Sequence, residues 1–189
     1  SSTRPGARAE PSEHAVVVGQ AEVARAPGRV LEVSLLPIDP PACPEALTSV
    51  QEADVLVMGP GSWFSSVVPH LLVPELSKAI VTADAVRVLL LNLPSQDAET
   101  SGYAPHELLD ALRFYAPALR ADAVVVDPAS VGDEHALQAA AGRLHAEVVV
   151  AKVSQQWNDP PGPADQHDPD RLTAALADLA GRGRMPGWR

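Results

Sequence analysis

Four short, mainly aliphatic runs constrain the fold more than any other feature of the sequence: 55–58 (VLVM), 86–91 (VRVLLL, broken only by Arg87), 123–126 (AVVV) and 148–153 (VVVAKV, broken only by Lys152). Strands buried on both faces read this way, whereas a strand with one wet face alternates apolar and polar residues. Between the runs lie stretches with helical spacing. Leu108, Leu109, Leu112, Tyr115 and Ala116 make one stripe, and Leu137, Ala140, Ala141 and Leu144 make the next. Strand alternating with helix predicts βαβ units, hence an α/β fold with a parallel sheet, right-handed crossovers and flanking helices. The last helix is marked by Asp168 as N-cap and Pro169 at the first position, with Leu172, Ala175, Leu176 and Leu179 turned inward.

Upstream of the first aliphatic run the pattern changes. Two short β runs, 16–23 and 30–36, flank Ala26-Pro27-Gly28-Arg29, which suits a type II turn, so an N-terminal β-hairpin outside the main sheet is expected. Pro44 opens a short helix over 44–53 with Leu47 and Val50 inward. Pro69 rules out one long helix after the first strand, and a second helix is expected from Pro74 with Leu76, Ile80 and Val81 facing the core. The division that follows is a flexible leader over 1–13, one α/β domain over 14–181 and a flexible tail over 182–189.

Composition narrows the function classes. A net charge of −10 argues against nucleic acid as a partner, because phosphates demand a basic surface. The single cysteine, Cys43, allows no internal disulfide, and no apolar run is long enough for a membrane span. A cytoplasmic protein is expected, with no membrane partner and homo-oligomerisation left open. His14, His70, His106, His135 and His145 show no metal spacing, no metal or cofactor is expected, and there is no G-x-S-x-G elbow for a serine hydrolase.

Candidate site residues follow from strand ends. In a parallel sheet, ligands collect at the carboxyl edge, where loops and helix N-termini present backbone N–H groups. The turn Gly59-Pro60-Gly61-Ser62 follows the first strand, and Ser62, Ser65 and Ser66 fall on one face if the next segment is helical. It lacks the lysine of a P-loop and the G-x-G-x-x-G spacing, so it reads either as an anion cradle or as a tight turn with Ser62 as N-cap. The loop 92–103 follows the second strand and offers Asn92, Gln96, Glu99 and Thr100 as hydrogen-bonding groups and Gly102 as a close backbone approach, unless it is only a solvated loop. His167 stands beside the Asp168 cap and reads either as a residue at the mouth of the site or as incidental. Asp127, Asp133 and Glu134 sit where capping accounts for them, and Trp63 and Phe64 read as packing.

The stretches GPGSWFSSVVPHLLVPELSKAI, NLPSQDAETSGYAPHELLDAL and HDPDRLTAAL together resemble the second half of the gluconeogenesis factor family (YvcK-type), within the superfamily of 2-phospho-L-lactate transferase (CofD-like). The resemblance covers roughly residues 16–180. It implies a Rossmann-like fold, a regulatory role in cell shape and growth on gluconeogenic carbon, and a UDP-sugar such as UDP-N-acetylglucosamine as ligand. The alternative it implies is an enzyme moving a phospholactyl group onto a deazaflavin precursor. The sequence departs from the family in three places. The glycine-rich nucleotide turn of the family's N-terminal half is not found, so truncation at the N-terminus is expected. The second loop reads Gln96-Asp97-Ala98-Glu99-Thr100-Ser101-Gly102 where the family has Gln-Pro-Gly-Glu-Thr-Asp-Gly, and Gln166 stands where an arginine usually precedes the His-Asp pair. Under this reading Gly59, Gly61, Ser62, Ser65, Ser66, Asn92, Gln96, Glu99, Thr100, Gly102 and His167 bind ligand, and no residue is assigned to catalysis.

Overall fold

The computed structural model describes residues 15–26, 28–94, 100 and 102–182. Its centre is a four-stranded sheet of β1 (Val55–Met58), β2 (Val86–Leu90), β3 (Ala123–Val126) and β4 (Glu147–Val150), in the order β1-β2-β3-β4. Every pairing is parallel. The helices are α1 (Gln20–Arg25), α2 (Pro44–Glu52), α3 (Val68–Leu72), α4 (Pro74–Thr82), α5 (Pro105–Tyr115), α6 (Glu134–Arg143) and α7 (Pro169–Arg182).

Sequential strand order has a geometric consequence. When each strand lands beside its predecessor through a crossover of the same hand, the crossover helices share one face of the sheet. The core divides accordingly. Leu89, Leu91, Val124 and Val126 pack with Trp63, Val68, Leu71, Ile80, Leu109, Leu112, Leu137 and Leu144 from the crossover segments. The alternate residues Val86, Val88, Leu90, Ala123 and Val125 face the other way and meet Leu172, Ala175, Leu176 and Leu179 of α7, so the chain's last helix doubles back to cover the second face. The central strands β2 and β3 are buried at every position, Arg87 included, as their aliphatic runs predict.

The amino edge of the sheet is tied by Arg87, only 3% exposed. Its guanidinium donates to the carbonyls of Ile80 (2.9 Å), Val81 (3.1 Å) and Ala83 (2.8 Å), closing the end of α4, where helix carbonyls lack intrahelical partners. Asp122, just before β3, accepts the Arg87 backbone N–H at 2.8 Å.

The expected N-terminal hairpin is not formed. Residues 20–25 are helical and 30–36 carry no strand pairing. The alternation over 30–36 is real but serves another purpose: Val30 and Val33 pack on the core from an irregular segment, while Leu31 stays 65% exposed. Aromatic hydroxyls replace a partner strand. The Val33 N–H donates to the Tyr115 hydroxyl at 2.8 Å, and the Tyr103 hydroxyl donates to the Val30 carbonyl. Strand β4 is also shorter than the apolar run 148–153, because the chain turns away after Val150 toward Asp127.

Candidate functional site

The loops at the carboxyl ends of β1 and β2 are clasped to each other. The Asn92 side chain accepts the Gly61 N–H through Oδ1 at 2.9 Å and donates through Nδ2 to the Gly61 carbonyl at 3.0 Å. An amide side chain bonded to both polar groups of one residue imitates a strand neighbour, so the turn after β1 is held as if the sheet continued. Gly59 permits the approach. It has φ of 91°, and a Cβ there would lie 2.4 Å from the Leu90 carbonyl oxygen of β2. Asn92, expected to contact a ligand, therefore also builds the wall.

The chain after Gly61 enters a single turn of π-helix, Trp63–Val67. Ser62 stands at its N-cap, and its carbonyl accepts the N–H groups of Ser66 (2.8 Å) and Val67 (3.3 Å), but its hydroxyl makes no capping hydrogen bond. Ser65 is buried, with its carbonyl accepting Gln20 Nε2 of α1 at 3.0 Å, while Ser62 and Ser66 are half-buried. The three serines thus do not form one exposed face. Trp63 is a core residue whose indole N–H donates to the Leu108 carbonyl at 2.8 Å.

A cavity of about 240 Å³ opens beside this clasp, lined by Asn92 and Thr100 of the second loop, Tyr103, Leu108, and Ala129, Ser130 and Gly132 beyond β3. Gln96 and Glu99 lie outside the described residues. Gly102 is exposed, with φ of 81°, and its carbonyl accepts Arg29 Nη1 at 3.3 Å. Arg29 also lies 4.0 Å over the Tyr103 ring and pairs with Glu107 at 2.7 Å. Glu107 accepts the Ala104 N–H as well, and that bond first, then Arg29, holds its carboxyl below the usual range.

The sequence offers the loop after β3 only as a source of caps, and there the structure adds most. Asp133 does cap α6 through the Ala136 N–H. Asp127 does far more than cap. It is wholly buried, and its two oxygens accept N–H groups of Ala129 (3.0 Å), Val153 (3.0 Å), Ser154 (3.0 Å) and the Trp157 indole (3.1 Å). Burial alone would raise its pKa, but the hydrogen bonds from Ala129, Ser154 and Trp157 together hold it below the ordinary value.

His167 is placed on this framework and not among the residues lining the cavity. It opposes Ser154 in an isolated antiparallel bridge, flanked by Gln155 N–H to the Gln166 carbonyl and Asp168 N–H to the Val153 carbonyl. The pair is of the non-hydrogen-bonded kind, which sets the two side chains closest together. The His167 Nε2 and the Ser130 hydroxyl are buried without a hydrogen-bond partner, and the Ser154 hydroxyl makes only a weak approach to the Asp127 carboxylate. Burial lowers the His167 pKa and Asp127 partly opposes it, so the imidazole is neutral at physiological pH.

The structure therefore fastens Gly61 to Asn92 and sets Asn92 with Thr100 on the cavity wall, while His167 lies apart, opposite Ser154 beyond β4. It adds Ser130 and Gly132, which the sequence shows only as polar loop residues. A serine three residues past a strand-end aspartate is the signal that could have found Ser130.

Comparison with known proteins bears on this site. The family model for 2-phospho-L-lactate transferase CofD matches residues 2–157. The chain is 38% identical over 180 residues to the "Putative gluconeogenesis factor" of Mycobacterium tuberculosis, covering 94% of this chain and 51% of that protein. It is 32% identical to the gluconeogenesis factor of Bacillus subtilis over 128 residues, 67% of this chain and 40% of that protein. A crystal structure of a UPF0052 family member from Bacillus halodurans superposes with a TM-score of 0.72 at 26% identity, covering 85% of this chain and 54% of that one. The chain spans about half the length of the curated relatives it matches.

Proposed function

The chain belongs to the 2-phospho-L-lactate transferase CofD family, and from that premise we propose that it acts as a gluconeogenesis factor whose carboxyl-edge loops form one wall of a nucleotide-sugar site. The observation that carries the reading is the Asn92–Gly61 clasp, which fixes two polar loops side by side at the ends of neighbouring strands and next to a cavity. In this reading the protein binds a UDP-sugar such as UDP-N-acetylglucosamine and regulates cell shape during gluconeogenic growth. The relatives supply the gluconeogenic role through their names; the ligand is inferred from the family resemblance and the polar strand-end loops.

Calorimetric titration of UDP-N-acetylglucosamine tests it, first into this chain and then into a protein carrying the remaining half of the family fold. Saturable binding by either supports the assignment. Binding by neither overturns it.

A second reading, transfer of a phospholactyl group to a deazaflavin precursor, is favoured by the family's own description. Mass spectrometry of the deazaflavin after incubation with a guanylylated phospholactate donor decides it. A product heavier by the phospholactyl group supports transfer, and an unchanged precursor sinks it.

A further inference from the structure

Tyr103 belongs to the wall of the cavity beside the clasp, yet the groups that hold it come from a distant part of the chain. Its ring meets Phe64, in the turn after β1, with centroids 5.1 Å apart, and lies under the Arg29 guanidinium at 4.0 Å. Its hydroxyl donates to the Val30 carbonyl. Residues 29 and 30 therefore hold both the face and the tip of one side chain of the wall.

The same short segment is tied at further points. Arg29 pairs with Glu107 at 2.7 Å and donates to the Gly102 carbonyl at 3.3 Å. The Val33 N–H donates to the Tyr115 hydroxyl at 2.8 Å, and the Val30 and Val33 side chains pack against the main core. These polar partners all lie between residues 102 and 115, at the exit of the second loop and along α5. Residues 29–33 form neither helix nor strand, so side-chain contacts and not a backbone ladder decide where they lie. A segment held in this way can open locally, below the cost of global unfolding. Glu107 joins it to the helix: its carboxylate accepts Arg29 at 2.7 Å and the Ala104 N–H at 2.9 Å, fastening the segment and capping the first turn of α5 at once.

We propose that residues 29–33 are a strap that positions Tyr103, so that the shape of the cavity wall depends on the docking of this N-terminal segment, with Arg29 as the positioning residue. The Arg29–Glu107 pair is 47% and 33% exposed and is weak alone, so the strap holds through the pair, the ring contact and the two valines acting together. Undocking releases the Tyr103 hydroxyl and ring face at the same moment. The proposal concerns the wall itself and stands whether or not the cavity takes a nucleotide-sugar.

The chain has two tyrosines, and the strap is bonded to both, so tyrosine-selective ring labelling reads its docking by NMR without a ligand. Arg29→Ala is expected to shift the ring signals of Tyr103 and also those of Tyr115, whose tie to the strap runs through Val33. Hydrogen exchange of the Val33 amide should speed up about tenfold, the combined loss of an exposed ion pair and a cation–π contact. Arg29→Lys, which keeps the charge, should fall between wild type and Arg29→Ala. Tyr115→Phe probes the strap from its far end and should shift the Tyr103 signals; it decides the question alone if Arg29→Ala fails to fold. Arg143→Ala removes a different half-exposed ion pair from α5, the one with Asp110, and should leave both tyrosines and the Val33 amide as they are. A Tyr103 shift in Arg29→Ala with Tyr115 and Val33 unmoved would reduce Arg29 to local stacking and overturn the strap. Unmoved Tyr103 signals in Arg29→Ala or Tyr115→Phe, or equal responses to Arg29→Ala and Arg143→Ala, would overturn it as well.

Discussion

The two edges of the sheet handle buried polar groups in opposite ways. At the amino edge, Arg87 and Asp122 are almost fully buried, and Arg87 spends its guanidinium on three helix-terminal carbonyls. At the carboxyl edge, Asp127 is saturated, yet around it, among the described residues, Ser130 and His167 keep buried polar atoms with no partner and Ser154 has no bond of normal geometry. The His106 Nδ1, in the first turn of α5 at this same edge, is a fourth. Buried polar groups in folded proteins are nearly all satisfied, so exceptions gathered at one edge call for a reason. The amino edge is built for stability, whereas the carboxyl edge, among the described residues, leaves hydrogen-bonding capacity unused.

Arg87→Ala is the harshest way to probe this contrast. It strips the end of α4 of its donors and leaves the Ile80, Val81 and Ala83 carbonyls facing a void, at a cost of about 3 kcal/mol or more. The midpoint of urea unfolding should fall steeply. A shift under about 1 kcal/mol would mean that the amino edge is not the stabilising one.

Asp127→Asn tests the saturated group of the other edge and should cost about 2 kcal/mol, since charge-assisted acceptance from five N–H donors is lost. Its pH dependence has a definite sign. The folded-state pKa is lowered, so the contribution is fully present above the ordinary carboxylate value of about 3.9 and disappears as pH falls through the folded value. The difference in unfolding free energy between wild type and variant should therefore narrow in acid. A difference that stays constant down to about pH 2 would show that the carboxylate's charge is not what the loop relies on.

These groups also show what could be read from the sequence. The strands and the helix after Asp168 were legible because each rests on local signals, an unbroken aliphatic run or a cap followed by proline. The segment 30–36 was misread because its alternation matches a strand, while the groups that satisfy it are the hydroxyls of Tyr103 and Tyr115, more than 70 residues away. The site was legible in part for the same reason. Strand-end position alone picked out Gly59, Asn92 and Thr100. That Asn92 would fasten Gly61, or that Asp127 would gather N–H groups from residues 153, 154 and 157, depends on strand order, which no local pattern encodes.

His167 offers a gentler probe of the unsatisfied set. Burial lowers its pKa, with Asp127 opposing, so the folded state favours the neutral ring. The contribution is present above the unfolded value of about 6.5 and is lost as pH falls through the lower folded value. Stability should sag between pH 7 and pH 5 by less than the Asp127 effect, and His167→Gln should flatten the profile in that window. An unchanged profile in the variant would mean that the ring titrates as it does in the unfolded chain.

The smallest expected effect separates the two edges most sharply. Ser154 is as buried as Asp127, and truncating a fully buried polar side chain ordinarily destabilises a protein because it breaks a hydrogen bond. The Ser154 hydroxyl makes no bond of normal geometry and only a weak approach to the Asp127 carboxylate, so Ser154→Ala removes a nearly unsatisfied group and leaves the β-bridge to His167, which is made by the backbone, intact. Its unfolding free energy should stay within about 0.5 kcal/mol of wild type, or rise slightly. A loss above about 1 kcal/mol would reveal a partner such as an ordered water, and the carboxyl edge would then be as well satisfied as the amino one.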